Sequence, residues 1–154
     1  MATPRDARDD FEARAYNELS EMTDYRILLT DDNAVNRKVV QMFMKPFGVT
    51  LVEACNGAEA LELLAREAFD LVLMDVHMPV MDGCEAVQRI RACGQPWANV
   101  PVVALTADAI PGDNERYMRL GMNAYVAKPI DLRQLFAAIN SALAIGDVNR
   151  AEAA

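Results

Sequence analysis

Short apolar runs that end on a polar side chain constrain this chain more than any other feature. The run at 71–74 stops at Asp75, and a Met-Pro turn follows it. The run at 27–30 stops at the acidic pair Asp31 and Asp32. Each run has the length and composition of a buried strand, and helix-capping residues come after it. The pattern therefore predicts strands that carry polar residues to one common edge of a sheet.

Two later apolar runs end in the same manner. The run at 100–105 leads to Thr106, and the run at 124–127 leads to Lys128. Ligands of open parallel sheets bind beyond the carboxyl ends of the strands, where the loops diverge. We therefore expect Thr106 and Lys128 to lie close to Asp75.

Strand-like and helix-like segments alternate along the chain. The expected strands are 27–30, 49–54, 71–74, 100–106 and 124–128, and an amphipathic segment follows each one. This alternation predicts an α/β fold, a doubly wound parallel sheet with five strands and helices on both faces. Hydrophobic periodicity does not give the order of the strands.

Capping residues and apolar spacing locate the helices. Asn33, Asn56, Asp82 and Asp131 each stand where a helix should begin. The last helix is expected to end before Gly146. On the first helix, six apolar residues are assigned to the inner face: Val35, Val39, Val40, Met42, Phe43 and Phe47.

Length and composition favour one main domain. At 154 residues and 53% hydrophobic content, the chain can bury one core of ordinary size. We assign that domain to 25–145, with a C-terminal tail at 146–154. The charged segment 1–24 carries a narrow apolar stripe at helical spacing, which predicts a short amphipathic helix. That helix would serve either as a linker or as a docking helix, for example in a homodimer.

Composition also excludes several classes of function. A net charge of -8 repels nucleic acid. No apolar run approaches the roughly 20 residues that span a bilayer, and the charged first residues do not form a secretory signal, so we expect a cytoplasmic location without membrane insertion. The three cysteines have no Cys-x-x-Cys spacing, which argues against a disulfide framework or a zinc site.

The predicted cluster of carboxylates suggests a specific chemistry. Three carboxylates held close together repel one another unless they take up protons or bind a cation. Oxygen ligands without histidine or cysteine favour a hard ion, and Mg²⁺ is the best candidate. Asp75 could then act as a nucleophile toward phosphorus and form an aspartyl phosphate. Lys128 and Thr106 would bind phosphoryl oxygens.

These residues together carry a family resemblance. The matching motifs are Asp31-Asp32, Asp75 at a fixed spacing from Pro79 and Gly83, Thr106-Ala107, and Tyr125 before Lys128-Pro129. With them, the segment 25–144 resembles the receiver domain of two-component response regulators. Finer features at 31–37, 104–107 and 121–123 are most similar to receivers of hybrid histidine kinases. Thr30 and Asn123 depart from the usual pattern, outside the catalytic set.

The resemblance implies both a fold and a set of roles. The fold would be flavodoxin-like, with strand order 2-1-3-4-5 and a cis peptide bond before Pro129. Asp75 would accept a phosphoryl group from a histidine kinase or a histidine phosphotransfer protein. Mg²⁺ would be bound by Asp32, Asp75 and the backbone carbonyl of His77, with assistance from Asp31.

The same resemblance implies a switch. Thr106 would move toward the phosphoryl group, and Tyr125 would fill the space that it leaves. The surface of the fourth helix, fifth strand and fifth helix would report this change to a downstream protein. The side chains of His77 and Asp108 would influence the lifetime of the phosphoryl group. The protein would be a signalling domain that catalyses its own phosphotransfer and dephosphorylation, with no separate enzymatic substrate.

Other functions stay open at this stage. A haloacid-dehalogenase phosphatase needs an Asp-x-Asp-x-Thr motif, and the segment that begins at Asp75 lacks the second carboxylate. A scaffold receiver that docks without phosphorylation is disfavoured by the intact polar set. The chain could also be the excised C-terminal receiver of a hybrid histidine kinase.

Overall fold

The computed structural model describes residues 25–107 and 112–153, with side chains described as far as Ala144. The predicted amphipathic helix in 1–24 lies outside the described residues, and so does Asp108. Within the described ranges, no helix is both long enough and apolar enough to cross a bilayer.

Five parallel strands form a single sheet in the order β2-β1-β3-β4-β5. The strands are β1 Arg26–Thr30, β2 Thr50–Ala54, β3 Leu71–Asp75, β4 Val102–Thr106 and β5 Ala124–Ala127. The parallel doubly wound sheet and the strand order implied by the family resemblance are both confirmed.

Five α-helices connect and follow the strands. They are α1 Ala34–Met44, α2 Gly57–Arg66, α3 Gly83–Ala92, α4 Asp113–Leu120 and α5 Leu132–Ala153, and a 3-10 turn at Lys45–Phe47 extends α1. Helices α1 and α5 cover one face of the sheet, and α2, α3 and α4 cover the other. The three central strands, β1, β3 and β4, are buried because helices pack on both sides of the sheet, whereas the edge strands β2 and β5 are partly exposed.

The helix starts follow the capping predictions. The side chain of Asn33 accepts hydrogen bonds from the amides of Val35 and Asn36 at the start of α1. Asn56 and Asp82 accept bonds in the same way at the starts of α2 and α3. At α5, the carboxylate of Asp131 accepts from the amide of Arg133 at 2.8 Å. Each cap satisfies an amide that has no partner within its helix.

The predicted inner face of α1 is wrong at two positions. Val35 and Met42 are 70% and 67% exposed, whereas Val40, Met44 and Phe47 are buried. An α-helix turns about 100° per residue, so Val35 and Met42 point away from the stripe that contains Val40. Because the helix packs on the sheet along only one stripe, these two apolar side chains face solvent.

The last helix is longer than the sequence analysis expected. Helix α5 continues through Gly146 and ends at Ala153, where the sequence analysis expected a non-helical tail. A glycine inside a helix costs only about 1 kcal/mol relative to alanine, and the alanines elsewhere in this part of the helix, at 142, 144, 151 and 153, favour helix. The glycine therefore does not end α5.

Thr30 provides a test of how polar groups are accommodated in the core. Its side chain is fully buried, and no hydrogen-bond partner for its hydroxyl is found among the described residues. Its neighbours across the sheet are Ala54 and Met74, which are both apolar. A buried hydroxyl without a partner lowers the stability of the folded state.

We predict that Thr30→Val raises the free energy of unfolding by about 1–2 kcal/mol, because a methyl group replaces the hydroxyl at similar volume. Urea unfolding of both proteins measures the change. Thr30→Ser is the matched control, since it keeps the hydroxyl and should not stabilise. A Thr30→Val protein no more stable than wild type would contradict the prediction.

Candidate functional site

Three carboxylates meet at the carboxyl edge of the sheet. Asp31 and Asp32 follow β1, and Asp75 is the last residue of β3, the neighbouring strand. One oxygen from each of the three side chains lies within 4.8 Å of the others. Asp31 and Asp75 are buried, whereas Asp32 is exposed. The predicted acidic cluster is therefore present and opens to solvent on the side of Asp32.

Lys128 is the counter-charge of the two buried carboxylates. Its Nζ lies 3.1 Å from Asp31 Oδ2 and 3.2 Å from Asp75 Oδ2. The backbone amide of Lys128 donates to the carbonyl of Thr106 at 2.7 Å, and the bond from Lys128 to Pro129 is cis, as the resemblance implied. Although burial lowers the pKa of Lys128, attraction by Asp75 and Asp31 outweighs this effect and raises it. The lysine is therefore held as a cation.

Asp75 is the most perturbed acid of the cluster. Burial raises its pKa from 3.8 to about 6, and the negative charge of Asp31 acts in the same direction. The ammonium of Lys128 and the amide of His77, 3.3 Å from Asp75 Oδ1, oppose the shift. One lysine therefore only partly offsets the burial of Asp75 and its repulsion by Asp31.

Asp31 is fixed through both its side chain and its backbone. Its Oδ1 accepts a hydrogen bond from the amide of Asn33 at 2.9 Å. The guanidinium of Arg37 donates to the Asp31 carbonyl at 2.8 Å and pairs with Glu53 at 3.1 Å. The sequence analysis noted Arg37 only as part of a motif. Its contribution is to hold the loop that presents Asp31.

The loop after β3 folds tightly against Asp75. The amide of Gly83 donates to the Val76 carbonyl at 2.9 Å, and a Cβ at position 83 would overlap the Asp75 carbonyl oxygen. Only glycine therefore allows α3 to start so close to the strand end. The loop also contains Val80, which has a positive φ of 70° and is 82% exposed.

Thr106 and Tyr125 occupy different environments. Thr106 is buried at the end of β4, and Tyr125 on β5 is 42% exposed. The Thr106 hydroxyl lies 3.3 Å from the hydroxyl of Tyr117 on α4, a residue that the sequence analysis did not single out. The only signal for Tyr117 was its place on the apolar side of a short polar helix.

The donor set fits a divalent cation. Asp31, Asp32 and Asp75 supply only carboxylate oxygens, which hard ions such as Mg²⁺ prefer. With all three ionised, Lys128 neutralises one charge of three and leaves an excess of negative charge at the cluster. The exposed position of Asp32 leaves one side of the site open, where an ion could keep some of its water ligands.

Comparison with known proteins identifies the family. A family model described as the response regulator receiver domain matches residues 27–140. The chain belongs to this family. The match covers all five strands apart from Arg26, the first residue of β1, and it includes all three carboxylates.

The receiver domain is similar to segments of sensor histidine kinases. It is 42% identical over 112 residues to the sensor protein GacS of Pseudomonas syringae pv. syringae, covering 71% of this chain and 12% of that protein. It is 32% identical over 149 residues to histidine kinase 5 of Arabidopsis thaliana, covering 80% of this chain and 16% of that protein. The chain thus spans a small part of the length of these relatives.

Solved structures give the same fold. The receiver domain of sensor histidine kinase PA1611 from Pseudomonas aeruginosa, with a magnesium ion coordinated in its active site cleft, is 36% identical with a TM-score of 0.69. The match covers 78% of this chain and 98% of that one. The receiver domain of Saccharomyces cerevisiae Ssk1, solved with the histidine phosphotransfer protein Ypd1, is 29% identical with a TM-score of 0.66, covering 72% and 83%.

We predict that Asp75→Asn stabilises the metal-free receiver domain, and more strongly at pH 7.5 than at pH 5. The raised pKa of Asp75 means that its contribution to stability is present below about pH 3.8 and is lost as the pH rises through about 6. Asparagine stays neutral throughout, so the difference in melting temperature should widen over this interval.

Thermal unfolding in the presence of a chelator measures this difference across the pH range. Lys128 keeps Asp31 as a partner in the variant, so its ammonium is not left unpaired. Added Mg²⁺ should reduce the difference in melting temperature between the variant and wild type at pH 7.5, because it stabilises the wild type. A gap that is constant with pH, or a less stable variant, would contradict the prediction.

Proposed function

We propose that this receiver domain accepts a phosphoryl group on Asp75 in a histidine-to-aspartate phosphorelay and so switches a partner-binding surface. One observation carries the proposal. Asp75 is a buried strand-end carboxylate with a lysine ammonium at 3.2 Å and two further carboxylates within 4.8 Å. That arrangement supplies a nucleophile, a cation for the developing negative charge and a set of oxygen ligands for Mg²⁺.

The phosphoryl transfer is a displacement at phosphorus. A carboxylate oxygen of Asp75 attacks the phosphorus of a phosphohistidine, a P–O bond forms, and the P–N bond breaks. The imidazole leaves with the bonding electron pair and takes up a proton. Bound Mg²⁺ would neutralise phosphoryl charge, with Asp32, Asp75 and the His77 carbonyl as ligands and Asp31 in support. Hydrolysis later returns the Asp75 carboxylate and releases inorganic phosphate.

Lys128 and Thr106 complete the site. Before transfer, Lys128 pairs with Asp75 and Asp31. After transfer, its ammonium can pair with a phosphoryl oxygen while Asp31 keeps it in place. The hydroxyl of Thr106 donates to another phosphoryl oxygen. These residues act by charge and position, which is how most catalysis of phosphoryl transfer operates.

The change in the partner-binding surface follows from the movement of Thr106. When its hydroxyl turns toward the phosphoryl group, Tyr125 moves from its half-exposed position into the vacated space. The surface formed by α4, β5 and α5 then changes shape, and a downstream protein binds one of the two forms. The added phosphoryl charge is the local event that biases this equilibrium.

The donor is expected to be a protein, either a histidine kinase or a histidine phosphotransfer protein. Two exposed valines lie in segments that lead away from the site along the chain: Val35 in the first turn of α1, after Asp32, and Val80 in the loop after Asp75. Val80 also has a positive φ, which is unfavourable for a β-branched residue. An exposed valine in a strained conformation is more easily explained if a partner covers it.

We predict that phosphorylation in the presence of Mg²⁺ requires Asp75. Asp75→Asn should take up no label from a phosphorylated histidine phosphotransfer protein or from phosphoramidate. Asp32→Asn is the comparison, since it keeps the nucleophile and loses a metal ligand; it should need a higher Mg²⁺ concentration for the same labelling. Acid-gel or mass-spectrometric detection of the phosphoryl group measures both.

Two outcomes would reject this function. Label on Asp75→Asn equal to that of wild type would place the phosphoryl group elsewhere. A wild type that takes label from no donor would favour the alternative of a receiver that docks without phosphorylation.

We predict that Val80→Asn slows transfer from the protein donor about tenfold and leaves the rate with phosphoramidate within about twofold. The exposed valine would contact only a macromolecule, and losing one apolar anchor from an interface costs on the order of 1–2 kcal/mol. Asparagine tolerates positive φ, so the loop keeps its conformation.

Rapid-quench kinetics with both donors separate an effect on contact with the protein donor from an effect on the reactivity of Asp75. Met42→Asn is a matched control, because this apolar side chain is also solvent-facing, at 67% exposed, and lies in the second half of α1, away from the helix start that follows Asp32. Equal slowing of Val80→Asn with both donors would show that the loop positions Asp75 and does not contact the donor.

A further inference from the structure

Helix α4 carries a buried tyrosine that the proposed mechanism does not use. Tyr117 is 2% exposed and belongs to the core on the face of the sheet covered by α2, α3 and α4. Its hydroxyl lies 3.3 Å from Thr106 Oγ1, within hydrogen-bonding distance. Thr106, at the carboxyl end of β4, is therefore linked directly to α4.

Thr106 and Asp75 lie on strands whose side chains alternate between the two faces. Val102 and Ala104 on β4 pack on the same face as Tyr117, and Thr106 continues that alternation. On β3, Leu71 and Leu73 pack on the opposite face, which α1 and α5 cover. By the same alternation, the side chain of Asp75 belongs to that face. In this structure the Thr106 hydroxyl thus points to the side of α4, and it has to turn to reach a group on Asp75.

The two ends of α4 are held differently. At the C-terminal end, Arg91 on α3 donates to the Gly121 carbonyl through Nε at 2.9 Å and through Nη2 at 2.7 Å, and also to Asn123 Oδ1 at 3.0 Å. At the N-terminal end, Gly112 precedes the helix without a side-chain cap. A movement of α4 would therefore pivot about its C-terminal end.

We propose that Tyr117 is a positioning residue that holds Thr106 in the resting orientation, and that Thr106 exchanges this bond for one to the phosphoryl group. This inference rests on the proposed phosphorylation of Asp75. Whichever hydroxyl donates, Thr106 Oγ1 reaches Tyr117 only while it points to the side of α4, and it has to turn away from Tyr117 to reach a phosphoryl oxygen on Asp75. The exchange leaves the buried Tyr117 hydroxyl in need of a new partner.

The consequence is a shift of α4. A buried hydroxyl that loses its partner destabilises the arrangement around it. Helix α4 can relieve this by pivoting about the clamp at Gly121. Met118, which is 49% exposed, is next to Tyr117 in the chain and reports the change around that side chain. Tyr117 thus couples the state of Asp75 to α4 through a hydroxyl, separately from the Tyr125 movement on β5.

The test measures the affinity for beryllium fluoride, which mimics a phosphoryl group, in the presence of Mg²⁺. Tyr117→Phe removes only the resting bond, so the affinity should increase about three- to tenfold, the range expected for one hydrogen bond. In a Thr106→Val background, where that bond cannot form, Tyr117→Phe should have no effect. Tyr25→Phe, at the opposite end of the sheet, is the control for loss of a tyrosine hydroxyl.

A second measurement uses the unmodified chain. With methyl-labelled methionine, the Met118 signal should shift on addition of beryllium fluoride, and the shift should be smaller in Tyr117→Phe. A Tyr117→Phe protein with unchanged or weaker affinity, or an effect that persists in the Thr106→Val background, would overturn the role of Tyr117. If wild type binds no beryllium fluoride and takes no label on Asp75, the proposed phosphorylation itself fails.

Discussion

The burial of two mutually repelling carboxylates beside a single ammonium is the constraint on which the rest of the structure depends. Asp31 and Asp75 each lie about 3 Å from Lys128 Nζ, and the pKa of Asp75 is raised to about 6 despite that contact. A buried acid in this state is unstable in its ionised form unless more positive charge arrives. A divalent cation would supply that charge, and the proposed phosphoryl group on Asp75 would change the charge of the site again.

The parallel sheet concentrates these charges, and its loops keep them in place. Strands β1, β3 and β4 are neighbours, so their carboxyl ends meet at one edge. Arg37 holds the Asp31 backbone, and the absence of a side chain at Gly83 lets α3 begin against the Asp75 carbonyl. Backbone geometry therefore sets the charge spacing. Thr106 and Tyr117, whose hydroxyls are 3.3 Å apart, form the contact through which we propose that a change at Asp75 reaches α4.

Much of this arrangement could be predicted from the sequence because its signals are local. Apolar runs that end on Asp31, Asp75, Thr106 and Lys128 predict strands with polar carboxyl ends, and right-handed crossovers bring those ends to one edge. The capping residues Asn33, Asn56 and Asp82 mark the helix starts through short-range hydrogen bonds. The strand order came from the family resemblance, because hydrophobic periodicity carries no information about which strands are neighbours.

By itself, the sequence determined the parallel α/β class, the strand ends and the composition of the carboxylate cluster. Only the tertiary structure decided which helix stripe is buried, so Val35 and Met42 face solvent although their spacing resembled a core face. It also decided the partner of Thr106. Tyr117 is 11 positions away on a polar helix, and its contact exists because α4 packs across the end of β4. Residues distant in sequence acquire such contacts only through packing, and no local pattern records them.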